Sequence, residues 1–506
     1  MRAAVRPRPP VHRSSPCTTR RPKHPSRPNR PRPDRLAGLL ALASAALACV
    51  SPSGARYRSL SEDLRSSPSA AEHTLDSGAR LFAGEPILDR RRLVAAVLER
   101  NPSLAVARQA YRAALARYPQ ASGLDDPMLG MGVAPLSFGS RRVDRAGRVD
   151  LSQRLPFPGK RRLRGEAALA EAEAVGRDLE SMRLELATLA SKLFDDWTLA
   201  ARALEINREH ATLLGELHRV ALARYAAGED SKPSVLKAEL ACSRAMVEQS
   251  ELESEARVVA EQINALLHRA AGLSIPAAPP SSGHAARLAE LGSDDEAVDG
   301  NAPVHADGDF IGAARGGGID AKLLDEALAA RPELAAAAAR EQAAHARVDL
   351  AVREFLPDFT VMGAYDRLWQ ESPLVPYVGV QLNVPLQLGR RRAALEESRA
   401  ELEGSRQRRL ALEDDVRLAV ESAGLRLAQA RRAERLVRDR LLPAASEQVS
   451  ATRSAYASGG SRFFDLIDAL RELHELELEH ETTLARIAQR RAELDRALGR
   501  MPGLSW

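Results

Sequence analysis

The sequence predicts a mainly α protein with a small β part: long coiled-coil helical hairpins, and four short strands set between them. Three observations carry this. Ala, Leu, Arg and Glu dominate while aromatics make up only 4 % of the 506 residues, a composition of long helices rather than of a compact mixed core. The stretch after Gly159 runs without a proline to Pro233 and repeats apolar residues at coiled-coil spacing. The whole pattern then comes a second time.

The formal charge of +5 and a pI near 9.3 suggest a basic protein. Residues 1–35 carry eleven Lys/Arg against the single acid Asp34, however, and without them the charge becomes −5. That removes the footing for nucleic-acid binding. Leu36 to Val50 is an apolar run too short to span a bilayer and fits the core of a secretory signal. Ala46-Leu47-Ala48 before Cys49 satisfies the small-x-small cleavage rule and resembles a bacterial lipobox, in which Cys49 becomes the acylated first residue. Residues 1–48 are therefore read as leader and signal peptide, and residues 49–86, which lack a clean period, as an extended N-terminal arm.

From Leu93 the pattern is helical until Asn101-Pro102, and a second helix from Ser103 is expected to stop at Pro119. Leu129, Met131 and Val133 alternate with Gly130 and Gly132, and Val149, Leu151 and Leu155 alternate with Asp150, Ser152 and Arg154, giving a strand pair within 127–155. A Pro-Gly corner follows at Pro156, Phe157, Pro158 and Gly159. A helix starting at Lys160 then carries Leu179, Met182, Leu186, Leu189, Leu193, Ala200 and Leu204 in a heptad seam. At 1.5 Å per residue it is roughly 100 Å long. It ends at Tyr225-Ala226-Ala227-Gly228 and returns as a second helix, so that 160–270 is a hairpin within a first repeat, 87–271. Residues 272–319, rich in Pro, Gly, Ala, Ser and Asp, read as a linker.

Landmarks then recur. Arg331-Pro332 stands 230 residues after Asn101-Pro102, Gly389-Arg390 stands 230 after Gly159-Lys160, and Tyr456 and Gly459 stand 231 after Tyr225 and Gly228. One offset held across three landmarks indicates a tandem duplication, with a second repeat at 320–506, a strand pair in 357–385 and a hairpin in 390–500. Val378, Val380, Leu382 and Val384 again form one face of a strand. Four strands per chain cannot close a membrane barrel, because open edges in lipid leave backbone groups unpaired. Three chains would supply twelve.

The double copy of helix, strand pair and hairpin, the Leu-Pro-Phe-Pro-Gly-Lys-Arg-Arg corner at 155–162, the Asp126-Pro127 strand start and the Tyr-x-x-Gly tips resemble the TolC family of outer-membrane efflux and secretion channels. The corner is most similar to its CusC/CzcC-like heavy-metal efflux branch. The resemblance implies a homotrimer with a shared twelve-strand β-barrel in outer-membrane lipid and an α-barrel crossing the periplasm. It also implies partners, namely a periplasmic membrane-fusion adaptor and an inner-membrane pump of the RND type. On it, Tyr225, Gly228, Tyr456 and Gly459 mark tips where the adaptor docks and the channel is gated. In well-known members acidic residues narrow the second tip; here those positions are Ser450 and Arg453, with Glu447 the nearest acid, so a cation-binding ring is not reproduced. The bland reading of the tyrosines is packing at a helix end.

No nucleophile, base and orienter occur together, so an enzyme is not expected, nor a cofactor. His474-Glu475 with His480 has the wrong spacing for a zinc helix and reads as a solvated face. The Lys160-Arg161-Arg162-Arg164 cluster is expected at the membrane boundary, near lipid head groups or helix neighbours. The function expected is a passive exit duct for heavy-metal cations or drugs. A conduit for secreted protein and a pore-free periplasmic scaffold are the rivals.

Overall fold

The computed structural model describes residues 52–66, 81–139, 145–280, 321–369, 375–458 and 460–503. The leader, Cys49, most of the 272–319 linker and Gly459 lie outside them. Helix α1 is Pro52–Ser66, α2 Arg90–Arg100 and α3 Pro102–Ser122; strands β1 and β2 are Met128–Val133 and Gly147–Leu155. The long helix α4, Lys160–Ala226, is followed by α5, Lys232–Leu266. The order then repeats as α6 (Ala321–Ala330), α7 (Pro332–Arg353), β3 (Asp358–Asp366), β4 (Pro376–Asn383), α8 (Leu388–Leu436), α9 (Leu442–Ala457) and α10 (Phe463–Ala497). One turn of π-helix, Val437–Leu441, joins α8 to α9, and Pro443 sits in the first turn of α9.

The helices share no single core. Separate apolar clusters follow one another along the bundle: Leu93, Val97, Phe194 and Ile263 in one, Leu214, Ala221, Phe463 and Leu466 in another, Val420, Leu427 and Leu498 in a third. Small residues allow this close stacking, since Ala172, Ala174, Ala187, Ala190 and Ala336 are fully buried. Leu189, placed in the seam by heptad spacing, is 44 % exposed, whereas Ala187 and Ala190 are inside. A helix flanked on several sides buries a wider and shifted stripe than a two-stranded seam, and 3.6 residues per turn drifts away from a strict heptad.

Two expectations fail locally. The N-terminal arm is not extended throughout: 52–66 is helix α1, whose Tyr57, Leu60 and Leu64 pack on Tyr111, Tyr118 and Leu169. The spacing of those three residues was the available signal. Helix α3 does not stop at Pro119 but runs to Ser122. Tertiary packing overrides the missing donor there, with Tyr118 buried and the Ser122 carbonyl accepting from both Nε and Nη2 of Arg161 at 3.0 and 2.8 Å.

His474 also departs from the solvated reading. It is 4 % exposed, stacked on His210 with centroids 4.2 Å apart, and its Nε2 lies 3.3 Å from Glu248. Burial and the neighbouring His474 push His210 down to about 4. His480, partly buried, faces Glu434 at 3.7 Å.

Candidate channel elements: strand face, corner and hairpin tips

The strands form one antiparallel sheet in the order β1-β2-β3-β4. Register decides what each face presents. Leu129 lies opposite Leu151, which lies opposite Gly363 and then Val378; Met131, Val149 and Tyr365 align one step away. Phe359 pairs with Leu155 and Leu382, and Val361 with Val380. These alternate positions form an apolar face interrupted by Gln153, which lies opposite Val361, and its Leu129, Met131, Val149, Leu151, Val378 and Val380 are exposed in the single chain. The opposite face holds Arg148, Asp150, Arg154, Thr360, Asp366 and Gln381. Its charges pair among themselves, with Arg148 3.1 Å from Asp150 and 3.9 Å from Asp366. A mainly apolar face backed by one whose charged and polar residues come chiefly from β2 and β3, with Met128, Gly130 and Gly132 on β1, is the pattern of a lipid-facing barrel wall around an aqueous lumen. Among the described residues no helix is long and apolar enough to cross a membrane.

The corner links this sheet to the helices. Gly159 has φ +93°, and a Cβ there would meet the guanidinium of Arg353, so glycine is required for the turn. Pro158 offers its carbonyl to Arg353 at 2.8 Å, and the Phe157 ring stacks on Phe359. Lys160 is 1 % exposed. Its Nζ donates to Asp358 at 2.8 Å and to the Leu356 carbonyl at 2.9 Å, with Glu354 at 3.5 Å. Asp358 also accepts from Arg154 Nη2 at 2.9 Å and from the Phe157 backbone N–H at 3.0 Å. Arg164 reaches Glu354, and Arg391 donates to the Glu354 carbonyl. The basic cluster therefore grips the 354–358 turn of the second repeat. Of the two readings, helix neighbours account for Lys160, Arg161 and Arg164. The second corner is built differently: Gly389 and Arg390 lie in the first turn of α8, and Gly389 has no positive φ.

The first tip ends in a left-handed Gly228, φ +76°, whose N–H donates to the Tyr225 carbonyl while Glu229 N–H donates to that of Arg224, a Schellman closure. The two tyrosines then separate. Tyr225 is 45 % exposed, whereas Tyr456 is buried at 9 % and joins the two tips. Its hydroxyl donates to Asp230 at 3.0 Å, Arg224 stacks on its ring 4.7 Å from the centroid, and Phe463 meets it edge-on. Burial alone would raise Asp230. Hydrogen bonds from Ser234, Ser231 and Tyr456 and the charge of Arg224 outweigh it and hold the carboxyl below its usual range. Burial and then Asp230 push the Tyr456 phenol up. Glu447, Ser450 and Arg453 lie exposed on α9, three residues apart. Asp230, Arg224, Glu354 and Asp358 were not found by sequence reasoning, because their partners stand about two hundred residues away.

The model of the outer membrane efflux protein family matches residues 93–268 and 323–500. The chain belongs to that family. Its fold is also that of solved channels. CusC aligns at 15 % identity with a TM-score of 0.65, covering 82 % of this chain and 93 % of its own. The open-state MtrE outer-membrane channel of Neisseria gonorrhoeae aligns at 18 % and 0.63, covering 81 % and 89 %. A membrane protein from Pseudomonas aeruginosa aligns at 20 % and 0.65, covering 83 % and 92 %. No curated protein matches the chain by sequence. This family member is thus an outer-membrane channel protein, homologous to outer-membrane efflux channels, and a conduit rather than an enzyme.

Proposed function

We propose that three copies of this chain form a passive exit duct that an inner-membrane pump, of the RND type, engages through a periplasmic adaptor. The observation that carries the reading is the four-strand sheet with one apolar face and two unpaired edges, β1 and β4. Edge-to-edge joining of three such sheets closes twelve strands and satisfies every backbone group in lipid. The tips supply the gate: Tyr456, Asp230 and Arg224 hold the second hairpin against the first, and the exposed Tyr225 beside Gly228 offers the adaptor a surface. Exposed Glu447, Ser450 and Arg453 line the aperture. Acylation of Cys49 is proposed on the lipobox-like Ala46-Leu47-Ala48 that precedes it.

The cargo proposed is heavy-metal cations or drugs, on the likeness of the Pro156–Lys160 corner to the metal-efflux branch. Purified protein reconstituted in planar bilayers is expected to conduct and to migrate as a heat-resistant trimer. A monomer without conductance would leave only a scaffold. Deleting the gene is expected to sensitise cells to copper, silver, zinc, cobalt or lipophilic drugs, and unchanged sensitivity to all of them would move the reading to protein secretion.

A further inference from the structure

A cleft of about 640 Å³ opens between α1, α3, α4 and α7, within the size range of small-molecule sites. Leu60, Leu64, Tyr111 and Leu179 give it an apolar part. Five arginines also line it, Arg56, Arg108, Arg112, Arg177 and Arg183, against the carboxylates Asp63, Glu173 and Glu180. Glu173 holds Arg56 at 2.6 Å and Glu180 holds Arg183 at 3.3 Å. Arg108, Arg112 and Arg177 make no hydrogen bond or ion pair among the described residues. Burial, then the charges of Arg183 and Arg112, pull Arg108 below its ordinary pKa. Arg108 is partly buried while Arg112 and Arg177 are exposed, and Glu173 offsets part of the charge of Arg177, so the three guanidiniums present free N–H donors at the mouth of the cleft.

We propose that this cleft binds a soluble phosphate monoester with an apolar body, its oxyanion held by Arg108, Arg112 and Arg177. The chemistry follows from the side chains: the planar guanidinium fork matches a phosphate with paired N–H donors, and the apolar wall accepts a hydrocarbon or aromatic group. Arg177 lies about 25 Å along α4 from Lys160, where the sheet joins the helices, so the geometry favours a soluble phosphate over a bilayer head group. Because α1 forms one wall and is otherwise fastened by Tyr57 on Tyr118 and Arg56 on Glu173, an occupant would also tie α1 to α3 and α4.

The test is calorimetric titration of phenyl phosphate into the full mature protein in detergent at low salt, against inorganic phosphate. Phenyl phosphate is expected to bind, and R108Q/R112Q to weaken it about tenfold or more, as loss of two charge-assisted forks implies. R108K/R112K, which keeps the charge and loses the fork, is expected to fall between. Circular dichroism establishes that the variants stay helical; the side chains are not in the apolar core. Absence of binding, or binding indifferent to these variants, overturns the proposal. So does loss of phenyl phosphate binding in nanodiscs containing phosphatidylglycerol but not in those of phosphatidylcholine, which would assign the cleft to lipid. Oligomer dissociation by R108Q/R112Q in the absence of any ligand also overturns it, assigning the arginines to a neighbouring copy.

Discussion

Replacing Asp358 by alanine tests how the sheet is held to the helices. The change removes the 2.8 Å partner of a lysine ammonium that is 1 % exposed, and leaves it the Leu356 carbonyl and a more distant Glu354. It also strips acceptors from the Phe157 N–H and from Arg154, which is half exposed. Breaking a buried pair from one side costs about 3–5 kcal/mol. Glu354 stands by and Arg154 can turn to water, so the expected loss is about 2–4 kcal/mol. The assay is chemical unfolding of the detergent-solubilised protein followed by tryptophan fluorescence, run as a double-mutant cycle with Lys160→Met. Once the ammonium is gone the carboxylate loses much of its purpose, so K160M/D358A is expected to be less damaged than the sum of the single changes by at least about 1 kcal/mol. A single-mutant loss below about 1 kcal/mol, or strict additivity, would refute the coupling.

Tyr456→Phe deletes the hydroxyl that donates to Asp230, and single-channel recording is expected to find a larger open fraction; an unchanged record would remove Tyr456 from the gate. Gly159→Ala forces a Cβ into φ +93° and against Arg353, with an expected loss of about 1–2 kcal/mol by unfolding. Val380→Lys puts a charge on the exposed apolar face of β4; a cost of about 2–4 kcal/mol in lipid is expected to reduce membrane insertion, measured by the yield in outer-membrane fractions. His210 titrates near 6.5 when unfolded and about 4 when folded. The unfolded chain therefore binds more protons between those values, and stability is expected to fall as pH drops through that window, by about 1–2 kcal/mol after allowance for solvent screening. Melting of His210→Asn against pH is expected to flatten there, and an equally steep curve would place the dependence elsewhere.

The pattern-bearing parts of the fold were legible. Alternation placed β1 to β4, the Pro-Gly corner placed the start of α4, and Tyr225 to Gly228 marked the end of α4, because each depends on neighbours a few residues away. What stayed hidden depends on distant residues. Lys160 reads as one more basic residue until Asp358, 198 positions on, is brought against it. Tyr225 and Tyr456 occupy matching places in the sequence, yet only Tyr456 meets Asp230 and Arg224. Pro119 shows the converse: a strong local stop signal yielded to the packing of Tyr118 and to the donors of Arg161. His474 looked polar and solvated because nothing local revealed that α4 and α5 supply His210 and Glu248.

The duplication has left its two hairpins mechanically unlike. In the first, α4 is an unbroken 67-residue helix, a stiff strut along its whole length. In the second, the corresponding path from Leu388 to Ala457 is interrupted by the π-turn at Val437–Leu441 with Pro443 directly after it. Irregular helical turns and prolines concentrate bending, so strain applied at the tips falls on a joint in one leg while the other bears load without yielding.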